Sequence, residues 1–305
     1  MASNNTQVYV PCTLQTCPLS MATIPYQPNL GANATFLVIF ALALAVQIWS
    51  SIKYRTWTHL VGMTGGLLLE IVGYVGRIML HYNPFNFNNF VIYLVCLTVA
   101  PAFISAVIYI CFYRVTIIYG QSLFGLKPRI LAIIFICCDI ICLILQAAGG
   151  AIASLSNGTS REARAQGDMG INIMIAGLVF QVISLLAFLS CAAYYLWSMR
   201  RRYSEPKATT VKRGLWYAFL TSLGVAAIAI FVRSVYRVAE LREGFQGKLA
   251  GNEALFMILE GAMIVITTVA LTVFHPGYCL GVPWKVQAAE TSMLLESRGS
   301  KDGYE

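Results

Sequence analysis

The chain of 305 residues is 58% hydrophobic and 11% charged, with a formal net charge of +8 and a mean hydropathy of +0.70. A soluble globular domain is about half apolar and about a quarter charged, so this composition excludes one. It predicts an all-α, polytopic integral membrane protein built as a single helical bundle.

Residues 1–31 form an amino-terminal tail that lacks the basic patch and apolar core of a cleavable signal. The first span is therefore expected to insert as a signal-less anchor with the tail exported. The tail carries a glycosylation sequon at Asn4 and the pair Cys12 and Cys17, which can close a short loop in an oxidising compartment or remain two thiols. The first apolar stretch covers 32–52 and opens on a second sequon, Asn33, placed too close to the membrane to be used. About 20 apolar residues cross the hydrocarbon core, and six further stretches qualify: 57–80, 90–118, 130–154, 170–198, 214–237 and 254–275. Their apolar runs are continuous, without a period of two, which selects helices over barrel strands. The seven-helix domain thus spans 32–275, and residues 276–305 form a short polar tail.

Orientation follows from the basic residues. With the amino terminus outside, cytoplasmic segments hold thirteen Lys and Arg and the outer loops hold four. The sequons at Asn4, Asn33 and Asn157 all fall on that outer side, so Asn4 and Asn157 are the candidate glycosylation sites and the carboxyl terminus is cytoplasmic. The positive charge reads as topology and contact with anionic lipid, with no nucleic-acid partner. Six cysteines within spans are expected to pack as small apolar residues, and Cys279 just beyond the last span is a candidate for palmitoylation.

Charged side chains inside a span cost about 2.5–3.5 kcal/mol each on insertion scales, so they turn toward a pocket, a pore or one another. In the second span Glu70, Tyr74 and Arg77 share one helix face. Arg233, Tyr236, Arg237 and Glu240 in the sixth span, with Glu253 and Glu260 in the seventh, reach the same outer level. A layer of opposite charges is the expectation. It either fixes the bundle through ion pairs, with Arg77 and Arg237 snorkelling to the headgroups, or lines a cavity for a polar headgroup. Asp139 and Gln146 in the fourth span and Gln181 in the fifth offer polar groups at depth, accompanied by Gly149, Gly150, Gly170 and Gly177, which let helices approach closely. Pro101 removes a backbone hydrogen bond from the third span and is expected to kink it, and His275-Pro276-Gly277 reads as a helix stop.

Several chemistries lack support. There is no phosphate-binding loop or dinucleotide fingerprint, so no nucleotide cofactor is expected. His59, His81 and His275 divide between the two membrane faces, which argues against a zinc site. The seventh span has no Lys for a retinal Schiff base, and neither Asp-Arg-Tyr nor Asn-Pro-x-x-Tyr occurs. No catalytic constellation is visible, and an enzyme is not expected.

Glu70-x-x-Gly73-Tyr74-x-x-Arg77, Ala100-Pro101-Ala102-Phe103 with Tyr109 and Arg114, Asp139 with Gln146 and Gly149-Gly150, Gln181, Arg233-x-x-Tyr236-Arg237-x-x-Glu240, Gly244 with Gly247, Glu253 and His275-Pro276-Gly277 occur in order. Together they resemble the fungal lipid-translocating exporter, or Rta-like, family from about residue 30 to 280. This chain has Met257 and Glu260 where that family commonly shows Tyr and Asp. The resemblance implies a multi-pass protein of the plasma membrane, or alternatively of an endomembrane, that exports or flips lipid-like amphiphiles. Family members have been linked to sphingoid bases, to resistance against sterol-like toxins and azoles, and to porphyrin uptake. A sensor or regulator of lipid asymmetry without flux of its own is the alternative. The partners implied are membrane lipids or lipid-like small molecules. A cationic amine headgroup would favour the carboxylates and a phosphate the arginines. Glu70, Asp139 and Glu260 are the candidates for any ion coupling.

Overall fold

The computed structural model describes residues 17, 22, 24, 26–119, 128–155, 161–202, 213–244, 247, 249 and 251–280. Seven helices are long and apolar enough to cross a membrane, and no strand occurs among the described residues. The protein is therefore a multi-pass membrane protein. The helices are α1 (Leu30–Tyr54), α2 (Trp57–Tyr82), α3 (Phe87–Tyr119), α4 (Pro128–Leu155), α5 (Arg161–Arg202) and α6 (Arg213–Glu243). The seventh, α7, starts as an α-helix at Glu253–Phe256, passes through a π-helical turn at Met257–Ala262 and resumes as an α-helix over Met263–Val273.

Six of the seven apolar stretches expected from the sequence lie within one helix each, the seventh, 254–275, overruns its helix by two residues because α7 stops at Val273, and two helices run well past their stretch. Helix α5 begins nine residues early because 161–169 are polar but good helix formers, and α6 continues to Glu243 for the same reason. Hydropathy detects the part of a helix that meets hydrocarbon, not where the helix ends.

The ends of α1 show local rules at work. The Asn29 side chain accepts from the Ala32 amide at 3.0 Å and caps the start. Arg55 closes the other end in the left-handed region, φ 55°, so that the Thr56 amide reaches back to the Ser51 carbonyl at 3.0 Å. Only two residues separate α1 from α2, which makes them antiparallel neighbours.

Burial is reversed relative to a soluble helix. Three of the four buried residues of α1 are polar, Asn33, Gln47 and Ser51, while Leu42 and Trp49 are 63% and 71% exposed. The apolar side chains face lipid, and the polar stripe faces α2 and α7. Close approach within the bundle rests on glycine. A Cβ on Gly73 would stand 2.5 Å from Leu97 Cδ2 and one on Gly66 would stand 2.7 Å from Ile104 Cγ1, which locks α2 onto α3. Between α4 and α5 the backbones themselves touch: a Cβ on Gly149 would lie 2.6 Å from the Gly170 carbonyl oxygen.

Toward the opposite end from residues 26–30, an aromatic core joins α3, α4 and α5. Tyr109 and Phe188 ring centroids are 4.6 Å apart, and Phe135 and Phe188 are 5.4 Å apart, both pairs edge to face. That packing leaves the half of the bundle nearer the amino-terminal end to polar groups. Of the span cysteines, Cys111 and Cys142 are buried as expected and Cys137 is exposed. Cys279 is buried in the short helix Pro276–Leu280, so the thiol proposed for palmitoylation is covered by packing.

Candidate functional site: a buried ionic layer

The seven-residue register of α2 lays Glu70, Tyr74 and Arg77 along its inward face, and all three are essentially unexposed. Helix α6 brings Arg233, Tyr236, Arg237 and Glu240 to the same level, and α7 brings Glu253 and Glu260. The expected layer of opposite charges is present. The geometry overturns one part of the expectation: neither Arg77 nor Arg237 snorkels outward, because both guanidinium groups find partners inside the bundle.

Arg233 donates to the Glu260 carboxylate at 2.5 Å, and side-chain exposures of 4% and 2% make this a fully desolvated pair. The same Arg233 nitrogen donates to the Leu97 carbonyl at 2.5 Å. That carbonyl is available for a reason written in the sequence. An ordinary helix would offer it to the amide four residues on, which is Pro101, and proline has no amide hydrogen. Pro101 does interrupt the ladder of α3, as expected, and the freed acceptor holds an arginine of another helix.

Arg237 donates to Glu240 at 2.6 Å, one helical turn along, and to the Thr98 hydroxyl at 3.3 Å, while its Nε lies 3.9 Å from Glu260. Glu260 is therefore shared between two arginines. The π-helical turn that contains it inserts an extra residue per turn and sets the rotation of its carboxylate, and such turns recur at functional sites. A Cβ on Gly261 beside it would stand 2.8 Å from both the Phe36 ring and the Tyr74 hydroxyl, so both side chains would have to shift to admit one.

Arg77 is held at the level nearest residues 26–30. Its Nε donates to Asn33 at 2.9 Å, and its Nη2 donates to the Tyr26 hydroxyl at 3.0 Å and stands 4.0 Å from Glu253. The guanidinium lies 3.8 Å from the centroid of the Phe256 ring. Burial pushes the Tyr26 phenol above its usual range, with Arg77 pulling the other way, so Tyr26 meets Arg77 as a neutral hydroxyl. Asn33 is buried and its side chain is engaged in this contact.

Several polar atoms in the layer have no hydrogen-bond partner: Glu70 Oε1, the hydroxyls of Tyr74 and Tyr236, Arg233 Nε and Glu260 Oε2. A buried unsatisfied polar group costs about 1–3 kcal/mol, so a native site that keeps several together is keeping them for something. Beside the layer, a small hollow of about 20 Å³ is lined by Thr98, Gln146, Arg237 and Glu240 together with Leu94 and Met174. Gln146 and Gln181 pair with each other across α4 and α5 at 3.2 Å, and Gln146 thereby joins the edge of the site.

Asp139 belongs elsewhere. Its carboxylate accepts from Ser105 of α3 at 2.6 Å, next to the aromatic core, and it forms no contact with the ionic layer. At the end opposite the layer, His275 Nδ1 accepts from the Gly277 amide at 3.1 Å, which puts the ring proton on Nε2 toward Ser51 at 3.1 Å. His275-Pro276-Gly277 ends α7 as expected, and the ring also packs edge to face on His59 at 4.7 Å. Asn4, Cys12 and Asn157 lie outside the described residues, while Cys17 is disulfide-bonded. No group of three metal-ligating side chains occurs among the described residues.

Sequence reasoning missed Tyr26, Thr98 and the Leu97 carbonyl. Only the last had a signal, in Pro101 four residues on. The other two are ordinary residues that the tertiary fold recruits.

A family model described as RTA1 like protein matches residues 63–282 and so takes in every charged residue of the layer. The chain belongs to the RTA1-like family. The sphingoid long-chain base transporter RSB1 of Saccharomyces cerevisiae is 32% identical over 284 residues, 82% of this chain and 72% of that one. The protein RTM1 of the same yeast is 28% identical, with 72% of this chain and 67% of that protein covered. The yeast protoporphyrin uptake protein 1 is 29% identical, with 68% and 65% covered. No solved structure matches the chain. Within the RTA1-like match fall Glu70, Arg77, Arg233, Arg237, Glu240 and Glu260, whereas Tyr26 and Asn33, which hold Arg77, lie before its first residue.

Proposed function

We propose that the protein translocates lipid-like amphiphiles across the membrane, taking the headgroup into the buried ionic layer while the tail stays in hydrocarbon. The observation that carries this reading is the set of unpartnered polar atoms around Glu70, Tyr74, Arg233 and Glu260, held inside a membrane bundle where each has a cost. A small hollow beside Arg237 and Glu240 has a mixed polar and apolar lining, and a groove of about 670 Å³ between α5 and α6, walled by Val179, Ile183, Val235 and Val238, suits an alkyl tail. A relative that is a sphingoid long-chain base transporter supports the same reading. In this reading the tail of residues 1–31 is extracellular, the protein resides in the plasma membrane with Asn4 and Asn157 glycosylated, and export confers resistance to toxic amphiphiles.

The test is movement of fluorescent sphingoid-base and phospholipid analogues in liposomes containing the purified protein. Flux is expected with the native chain and is expected to be lost in Glu70→Gln and Arg237→Ala proteins that remain folded and inserted. No flux of any analogue, even under an imposed pH gradient, would sink the translocator and move the proposal to a seven-helix sensor of lipid asymmetry.

A further inference from the structure

The charges of the ionic layer do not balance in a symmetrical way. Arg233 is matched by Glu260, Arg237 by Glu240, and Arg77 by Glu253. Three arginines are matched by three carboxylates. Glu70 is the fourth acid, buried as deeply as any of them, with no Arg or Lys nitrogen within ion-pairing distance among the described residues and with Oε1 lacking any hydrogen bond.

The surroundings of Glu70 hold nothing that would neutralise it. Its own helix offers the unpartnered Tyr74 hydroxyl one turn on, and α1 packs the Phe36 and Phe40 rings against Tyr74. Helix α3 brings the Cys96 thiol into electrostatic reach, α6 brings Arg233 and α7 brings Glu260. The single cation among these already donates to Glu260 and to the Leu97 carbonyl. An ionised Glu70 would add an uncompensated negative charge to a desolvated interior, which is the arrangement proteins avoid by holding a proton.

We infer that Glu70 is a proton-carrying carboxylic acid in this structure and that the translocator exchanges one proton for one cationic amphiphile at this side chain. The inference rests on the translocator reading. When an ammonium headgroup arrives, the Glu70 O–H bond breaks, the proton leaves to water and the carboxylate pairs with the ammonium. On the other side of the membrane the headgroup departs and a proton returns to the same oxygen. The layer's net charge is unchanged at every stage, so the cycle moves no net charge across the membrane. A pH gradient drives it and a membrane potential does not.

Two measurements on the full chain separate this inference from the reading beneath it. The first is the infrared spectrum of the protein in nanodiscs at neutral pH. It should contain a carboxylic-acid C=O band that is missing from Glu70→Gln, which breaks no ion pair and should fold normally, and that fades as dodecylamine is added. The second is flux of a fluorescent long-chain primary amine into liposomes, with protein-free liposomes subtracting passive permeation of the neutral amine. Flux should follow an imposed pH gradient, ignore a potassium–valinomycin potential, vanish in Glu70→Gln and persist in Glu70→Asp. Absence of the band from the native protein overturns the proton on Glu70 whether or not lipid moves, and flux driven by the potential overturns the one-for-one exchange. A band that belongs to Glu70 in a protein that moves no analogue supports the proton site and overturns the translocator reading instead.

Discussion

Breaking the Arg233–Glu260 pair tests whether the ionic layer holds the bundle together as the geometry says. In Glu260→Gln the guanidinium of Arg233 loses its anionic partner and keeps only neutral acceptors, the Leu97 carbonyl and the substituted amide oxygen, in a site where the native side chain is 4% exposed. Removing one member of a buried ion pair leaves an uncompensated charge and costs about 3–5 kcal/mol, and the remaining carbonyl places this case near 3. Arg233→Met leaves Glu260 with Arg237 at 3.9 Å, so its loss should be smaller, about 2 kcal/mol. In the double variant neither charge is stranded, and the total should stay near 2 kcal/mol, giving a coupling of about 3 kcal/mol and a shift of roughly a hundredfold in the folded-to-unfolded ratio. The assay is equilibrium unfolding of purified protein in mixed micelles, taken as a double-mutant cycle. Losses that add to within about 0.5 kcal/mol would refute the pairing, because independent sites add that closely.

Three further outcomes follow from individual contacts. Gly149→Ala should destabilise by about 1–3 kcal/mol, because its Cβ would meet backbone atoms of Gly170 and Met174 that cannot yield, whereas Gly150→Ala meets only Met174 Sδ at 3.7 Å and should stay within about 0.5 kcal/mol; equal melting shifts would contradict the α4–α5 contact. Ser105→Ala removes the donor to Asp139 and should cost about 1–3 kcal/mol in thermal unfolding, an effect that should disappear when residue 139 is already Leu. Pro101→Ala restores an amide aimed at the Leu97 carbonyl, so it should stabilise an Arg233→Met protein more than the native one, in which it displaces Arg233. The same gain in both backgrounds would show that Leu97 and Arg233 do not interact.

Much of the site is legible in the sequence because membranes punish charge. Glu70, Arg77, Arg233, Arg237, Glu240 and Glu260 stand out in apolar runs, and helical spacing alone sorts them to one face and one depth. What spacing could not do was assign partners. Glu260 could have paired with any of three arginines, and the π-helical turn that points it at Arg233 is a departure from the regular helix on which such counting relies. Asp139 looked equivalent to the other buried acids by residue type, yet α3 offers it Ser105 at a separate location. The snorkelling of Arg77 fits its position near a helix end, and it fails because Tyr26 and Asn33 from the start of the chain and Phe256 from α7 converge on the guanidinium.

The amino-acid sequence by itself determined that this protein lives in a membrane, that it crosses seven times and that a set of charges shares one level of the bundle. Those are consequences of transfer free energy and helical period, both of which act residue by residue. The tertiary structure decided which charges neutralise one another, which carbonyl Pro101 releases and to whom, and which carboxylate remains without a cation. Pairing in a desolvated interior depends on distances of a few ångströms between separate helices, and only the packed bundle sets those distances.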